Sequence, residues 1–303
     1  SEQCDGGANC NASCQWTTVA EAEPNDTVAN ADTNAVNNPL LLIDSNRNIT
    51  GGVSGAADKD IYKLVVASNN TVVRAETFDF TGVDCRTAVP FSMASAGLRI
   101  LNSGGTAIVT DFESSSAAGY TSTNTFQSGI GVCAALSYRL DAGTYYVQVD
   151  KTAALASYFL RVTFQTALGN EVEPNDVTGT ATPAPGIATS IFGDHQVTTD
   201  TDFYAVTVPA GGSIRAEVIE GDGVETCESN GIDSSIALYN PAGTLISTTG
   251  GDVGRGFCSL FDGTGPTPLN SFAHNLAAGT YFVRVISATT AVTPANQFNY
   301  RLV

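Results

Sequence analysis

The sequence predicts an all-β protein made of two tandem antiparallel units, each a sandwich or a barrel. Three observations carry this. Short segments alternate apolar and polar residues with the period of two that a half-buried strand requires. Clusters of turn residues separate those segments. The whole series of blocks then occurs a second time in the same order, and a repeat of that size fixes the architecture.

The alternating blocks are read directly from the chain. Tyr145, Val147 and Val149 alternate with Tyr146 and Gln148, and Tyr281, Val283 and Val285 alternate with Phe282 and Arg284. Ile61–Val66, Val72–Glu76, Ile214–Ile219 and Ile236–Tyr239 are further strand candidates. Asn102-Ser-Gly-Gly105, Ala210-Gly-Gly212 and Asn240-Pro-Ala-Gly243 are the turns between them. No stretch of a dozen residues keeps a helical apolar spacing between caps.

The repeat is dense in shared blocks. Glu21-Ala-Glu-Pro-Asn-Asp26 recurs as Glu171-Val-Glu-Pro-Asn-Asp176, and Asp58-Lys-Asp-Ile-Tyr62 recurs as Asp200-Thr-Asp-Phe-Tyr204. Asp141–Val149 recurs as Ala277–Val285, and Tyr158–Val162 recurs more loosely as Phe298–Leu302. The offset between copies is 150 at Glu21, 142 at Asp58 and 136 at Gly143, so the copies differ by insertions between fixed blocks. The expected domains are a truncated cysteine-rich segment 1–18 and two repeats, 19–168 and 169–303.

Composition excludes several classes. The chain has 303 residues with 13 Lys+Arg against 30 Asp+Glu, a formal net charge of -17. Nucleic acid and anionic membranes need Lys/Arg clusters, so neither is an expected partner. The longest aliphatic run, Leu40–Ile43, is far short of a membrane span. Residues 1–20 lack a basic segment followed by an apolar one, which suggests a mature form or a fragment. At 43% hydrophobic residues the chain can build cores, which excludes global disorder.

Seven cysteines are present. Cys85 and Cys227 each follow the first Asp of their Asp-x-Asp by 27 residues, and each repeat holds one further cysteine. This predicts intra-repeat disulfides Cys85–Cys133 and Cys227–Cys258, and with them an oxidising extracellular compartment. Cys4, Cys10 and Cys14 are odd in number, so one is expected to pair elsewhere. Residues 1–15 resemble the end of a short cysteine-rich repeat of bacterial surface proteins.

The acidic blocks are the candidate site. Hard cations such as Ca2+ take six to eight oxygen ligands, and clustered carboxylates repel until something neutralises them. In an extended segment, residues two apart point the same way, so Glu21/Glu23, Asp58/Asp60, Glu171/Glu173 and Asp200/Asp202 can each face one site. The competing reading is a polar turn with an Asx cap. Recurrence in register favours a calcium site.

The order Glu-x-Glu-Pro-Asn-Asp, Asp-x-Asp-x-Tyr, Ala-Gly-Thr-Tyr-(Tyr/Phe)-Val-x-Val resembles the bacterial pre-peptidase C-terminal domain, a group that includes the collagen-binding domains of clostridial-type collagenases. The resemblance spans about 280 residues as two copies. It implies jelly-roll-like sandwiches, export, and an accessory role in a secreted or cell-surface protein. It also implies calcium held by Glu21, Glu23, Asn25, Asp26 and Asp58 or Asp60, and by Glu171, Glu173, Asn175, Asp176 and Asp200 or Asp202.

No metalloprotease, nucleophile-elbow or phosphate-loop motif is present, and His195 and His274 read as surface or loop histidines without counterparts in the first repeat. The chain is therefore expected to be no enzyme but a calcium-stabilised binding or accessory module pair. Its expected partner is an extracellular protein or polysaccharide, or copies of itself. The alternative is a structural subunit of a filament, appendage or surface layer. Tyr146 and Phe282 are candidates for recognition, with core packing the favoured reading of both.

Overall fold

Each alternating block becomes a strand, and burial follows the alternation. In the computed structural model the described residues are 17–78, 97–112, 134–150, 155–184, 189–195, 199–220, 234–249, 259–265, 268–288 and 298–303. All seven cysteines, and so both expected disulfides (Cys85–Cys133 and Cys227–Cys258), lie outside them. The chain divides after Phe164 into two compact units.

The first unit contains β1 (Thr18–Ala20), α1 (Val28–Asn37), β2 (Arg47–Val53), β3 (Lys59–Val66), β4 (Thr71–Phe78), β5 (Gly97–Leu101), β6 (Ala107–Phe112), β7 (Ala135–Leu140), β8 (Gly143–Asp150) and the first part of β9 (Leu155–Asn170). One sheet has the order β1-β2-β9-β4-β7 and the other β3-β8-β5-β6. Ile49, Val73, Leu136 and Leu160 of the first sheet are buried, as are Leu64, Leu98, Ile100 and Val147 of the second. Burying one such aliphatic side chain is worth roughly 1.5–3 kcal/mol.

The second unit contains the end of β9, then β10 (Thr182–Pro183), β11 (Thr189–His195), β12 (Asp202–Val208), β13 (Arg215–Glu220), β14 (Ser234–Tyr239), β15 (Leu245–Thr249), β16 (Leu260–Asp262), β17 (Gly279–Ser287) and β18 (Phe298–Leu302). Its sheets are β9-β11-β18-β13-β16 and β10-β12-β17-β14-β15. Ile191, Val218, Phe261 and Leu302 from one sheet and Ile236, Leu238, Val283 and Val285 from the other share one core. The sheets are sandwich-like and the fold is all-β.

The strand orders match element for element. The parallel pairing of β1 with β2 corresponds to that of β9 with β11. The parallel bridge Ile43–Leu64 corresponds to the pairing of β10 with β12. The hairpins β5–β6 and β14–β15 share their chemistry: Asn102 Oδ1 accepts from the Gly104 and Thr106 N–H groups at 2.9 and 3.0 Å, and Asn240 Oδ1 from those of Ala242 and Thr244 at 3.0 and 2.9 Å. Both turns need a positive φ, +80° at Gly105 and +74° at Gly243, which glycine supplies without a Cβ clash.

Among the described residues the largest difference between the units is one α-helix. Helix α1 escaped the sequence reading because it is only ten residues long and buries a single side chain, Ala31. Its cap is local: Thr27 Oγ1 accepts the Asn30 N–H at 3.1 Å. The helix covers the outer face of the β3-β8-β5-β6 sheet, where Val28 and Ala31 pack on Ile61, Leu101 and Tyr146. Asp32 fastens it, 2.9 Å from Lys63 Nζ and accepting from the Tyr146 hydroxyl at 3.0 Å. The Tyr146 hydroxyl is pushed up to about 12, by burial first and by Asp32 second. In the second unit the same stretch holds only the short turn Thr178–Thr180. Tyr146 is thus buried, whereas its counterpart Phe282 stays half-buried, with no α-helix on its face among the described residues.

Candidate metal centre

The Glu-x-Glu-Pro-Asn-Asp segment is clamped onto the strand that follows Asp-x-Asp. The Ile61 N–H donates to the Asn25 carbonyl at 3.0 Å, and the Phe203 N–H to the Asn175 carbonyl at 3.0 Å. Each clamp brings three carboxylates together. Oxygens of Glu21, Glu23 and Asp60 lie within 4.8 Å of one another, and so do those of Glu171, Glu173 and Asp202. In each trio the Asp is fully buried, the first Glu half-buried and the second exposed, which is the gradient of a site entered from solvent.

Only the second Asp of each Asp-x-Asp joins its trio. β3 starts at Lys59 and β12 at Asp202, so Asp60 and Asp202 lie in a strand and point inward, while Asp58 and Asp200 precede the strand. Asp58 instead accepts the Ser54 N–H at 2.5 Å, and Asp200 Oδ1 accepts the Thr201 N–H at 3.1 Å. Asp26 Oδ1 accepts the Lys59 N–H at 3.2 Å. Asp26 and Asp58 line one open depression with Glu21 and Glu23. Asp176 is exposed.

The remaining ligand atoms are held ready. Gly52 and Tyr62 donate to Glu21 at 2.7 and 3.2 Å, and Asp194 N–H and Tyr204 hydroxyl donate to Glu171 at 2.5 and 2.6 Å. The Asn25 and Asn175 N–H groups each orient their second Glu at 2.9 Å. Asn25 and Asn175 are buried, and their side-chain oxygens have no hydrogen-bond partner. The same holds for both oxygens of Asp60 and for one oxygen of Asp202. Buried acceptors without partners are costly, and a hard cation with oxygen ligands is the group that would satisfy them.

Two tyrosines back each trio, a feature the sequence reading missed. Tyr62 and Tyr158 hydroxyls stand 2.5 Å apart, as do those of Tyr204 and Tyr300. The Tyr300 hydroxyl also reaches Asp202 at 2.6 Å. The chain Glu171–Tyr204–Tyr300–Asp202 has three short oxygen contacts, and its two phenols supply two protons. Burial first, then the neighbouring Glu171, pushes Asp202 up to about 8. Burial first, with the neighbouring Glu21 adding to it, likewise pushes Asp60 up to about 8. Glu21 and Glu171 are raised, chiefly by burial.

Glycine makes room for the phenols. A Cβ on Gly51 would lie 2.5 Å from the Tyr158 hydroxyl, and one on Gly193 would lie 2.6 and 2.7 Å from the Tyr300 and Tyr204 hydroxyls. Gly51 and Gly193 therefore correspond, as do Tyr158 and Tyr300, all at an offset of 142. The sequence pairing of Tyr158 with Phe298 is corrected by two residues. A two-residue slip along a strand keeps every side chain on its face, so alternation alone could not reveal it.

One of the two histidines differs from expectation, while His274 lies in a loop. His195 is fully buried at the end of β11, with Nε2 3.0 Å from the Asp200 carbonyl and 3.2 Å from the Ser287 N–H. His274 is partly buried, with Nδ1 2.7 Å from the Gly263 carbonyl.

With this geometry the second unit can be placed by class, as an all-β sandwich with a carboxylate trio gathered around a buried Asp at the start of a strand. Residues 200–287 match the family model of the bacterial pre-peptidase C-terminal domain. Among solved structures, the chain is similar to a periplasmic inhibitor of g-type lysozyme from Aeromonas hydrophila, at 14% identity over 49% of this chain and 96% of that one, with a TM-score of 0.26. It is also similar to the pre-peptidase C-terminal domain of a Bacillus anthracis collagenase, at 17% identity over 40% and 92%, with a TM-score of 0.25. No curated protein matches. Among the described residues no helix is long and apolar enough to cross a membrane.

Proposed function

We propose that this chain is a non-catalytic binding or accessory module of an exported bacterial protein, and that each of its two units is stabilised by calcium. The observation that carries the reading is the duplicated trio, Glu21/Glu23/Asp60 and Glu171/Glu173/Asp202, backed each time by a tyrosine pair. Asn25 and Asn175 supply neutral oxygens, and Asp26 and Asp58 border the first site. An all-oxygen donor set of mixed charge suits Ca2+, whose affinity rises with the number of charged ligands. The family match over residues 200–287 supports the accessory role and a secreted or periplasmic location. The tandem arrangement of two such domains, and an extracellular protein or polysaccharide as partner, belong to the same proposal.

Calorimetric titration of chelator-treated protein with calcium tests it. Two bound ions per chain and a raised melting temperature are expected. A titration without heat, together with a melting temperature unmoved by chelator, would falsify the calcium reading.

A further inference from the structure

The outer face of the β10-β12-β17-β14-β15 sheet is the surface that α1 covers in the first unit; among the described residues of the second unit only the short turn Thr178–Thr180 reaches it, beside β12 and with Thr178 next to Gly243. Register defines the correspondence. Ala205, Phe282, Tyr239 and Leu245 form one cross-strand row, as Lys63, Tyr146, Leu101 and Ala107 do in the first unit. In the adjacent row, Phe203 and Arg284 stand where the first unit has Ile61 and Gln148. The chain between Asp176 and β11 is eight residues shorter than that between Asp26 and β2, which is the fall in repeat offset from 150 to 142. Among the described residues of this shorter stretch there is no α-helix.

The uncovered face has a defined chemistry. Phe203 and Tyr239 meet edge to face at 5.2 Å, Phe282 and Tyr239 are half-buried, and Leu245 on the edge strand is 48% exposed. The Arg284 guanidinium lies 5.6 Å from the centre of the Tyr239 ring. Among the described residues no carboxylate pairs with Arg284, although the chain carries 30 acidic residues against 13 basic ones. In the first unit the cation of this face, Lys63, is answered by Asp32 of the covering helix. In the second unit the cation has moved to Arg284, and among the described residues no carboxylate answers it.

We infer that this face docks an acidic, helix-forming peptide segment of another protein, with small or aliphatic side chains on Phe282 and Tyr239 and a carboxylate on Arg284. An aromatic platform with one arginine is typical of the residues that dominate binding energy at interfaces. A guanidinium stacked on a ring keeps its donors available for a carboxylate. The inference deepens the binding-module reading and does not depend on which cation the trios hold.

The test uses the full chain in saturating calcium and a fluorescent peptide with the sequence of residues 26–43, read by anisotropy. An isolated helix of this length is marginal in water, so affinity is modest and the ratios are decisive. Arg284→Gln in the protein, or Asp32→Asn in the peptide, is expected to weaken binding about tenfold, with little further loss when combined. Gln148 occupies the equivalent position, so Arg284→Gln should fold, as its melting temperature would verify. Absence of saturable binding, equal affinity for Arg284→Gln, or Arg284-dependent binding of oligogalacturonate but not of the peptide overturns the inference. A calcium-dependent melting temperature measured on the same samples separates failure of this surface from failure of the module reading.

Discussion

Helix α1 covers a sheet face in the first unit and no α-helix does so among the described residues of the second, yet their carboxylate trios are alike. Glu21, Glu23 and Asp60 are positioned by the clamp from Ile61 N–H to the Asn25 carbonyl, and the second trio by the clamp from Phe203 N–H to Asn175. Each clamp joins a residue before the point where the copies diverge in length, Asn25 or Asn175, to one after it, Ile61 or Phe203, so the change of length leaves the clamp in place. Site and outer surface are thus separable: the segment 27–43 decides what the sheet shows to solvent without altering what holds the acidic groups.

Cation removal should give the largest effect and should not distinguish the units. Calcium at about a thousand times its dissociation constant contributes roughly 4 kcal/mol per site, or on the order of 10 °C for units of this size. The effect should grow with pH. Asp60 and Asp202 titrate near 8 in the fold but near 3.8 when unfolded, so without metal their contribution to stability falls as pH rises through that window. Thermal melts in chelator at pH 5 and pH 8 would check this; a metal-free protein more stable at the higher pH would contradict it.

Gly193→Ala comes next, because a methyl group there meets both phenols. A loss of about 2–3 kcal/mol is expected, with the calcium titration falling towards one ion per chain. Gly179→Ala, with open space around its Cβ, should leave melting and stoichiometry unchanged. Asp32→Ala should lower stability by only about 1 kcal/mol, since Lys63 and Asp32 are 26% and 44% exposed, and should leave both calcium sites intact. Arg284→Gln should change stability least, by less than about 0.5 kcal/mol in denaturant melts, because the first unit already tolerates Gln148 there.

The site was legible where chemistry recurs in sequence. Glu21, Glu23, Glu171 and Glu173 stand out as duplicated carboxylates, and the strands that carry Asp60 and Asp202 show their alternation openly. Which Asp of each pair points inward was not legible, because the rule that residues two apart share a face assumes a strand already running at Asp58 and Asp200. The tyrosine pairs are built across 96 residues, so no local pattern marks them. Gly51 and Gly193 read as ordinary strand glycines until the phenols behind them are seen. Helix α1 was hidden for a different reason: its apolar stripe is one alanine and one valine wide, and its stability comes from the sheet beneath.

The eight residues that separate the two copies are a natural insertion experiment. A graft between Val177 and the start of β11 should be accommodated, because the first unit accommodates the longer version at the corresponding place. Such a graft would convert an open face into a closed one while the acidic site beside it stays in place. The stretch is therefore a port for engineering, where recognition can be switched off by adding chain rather than by damaging the surface.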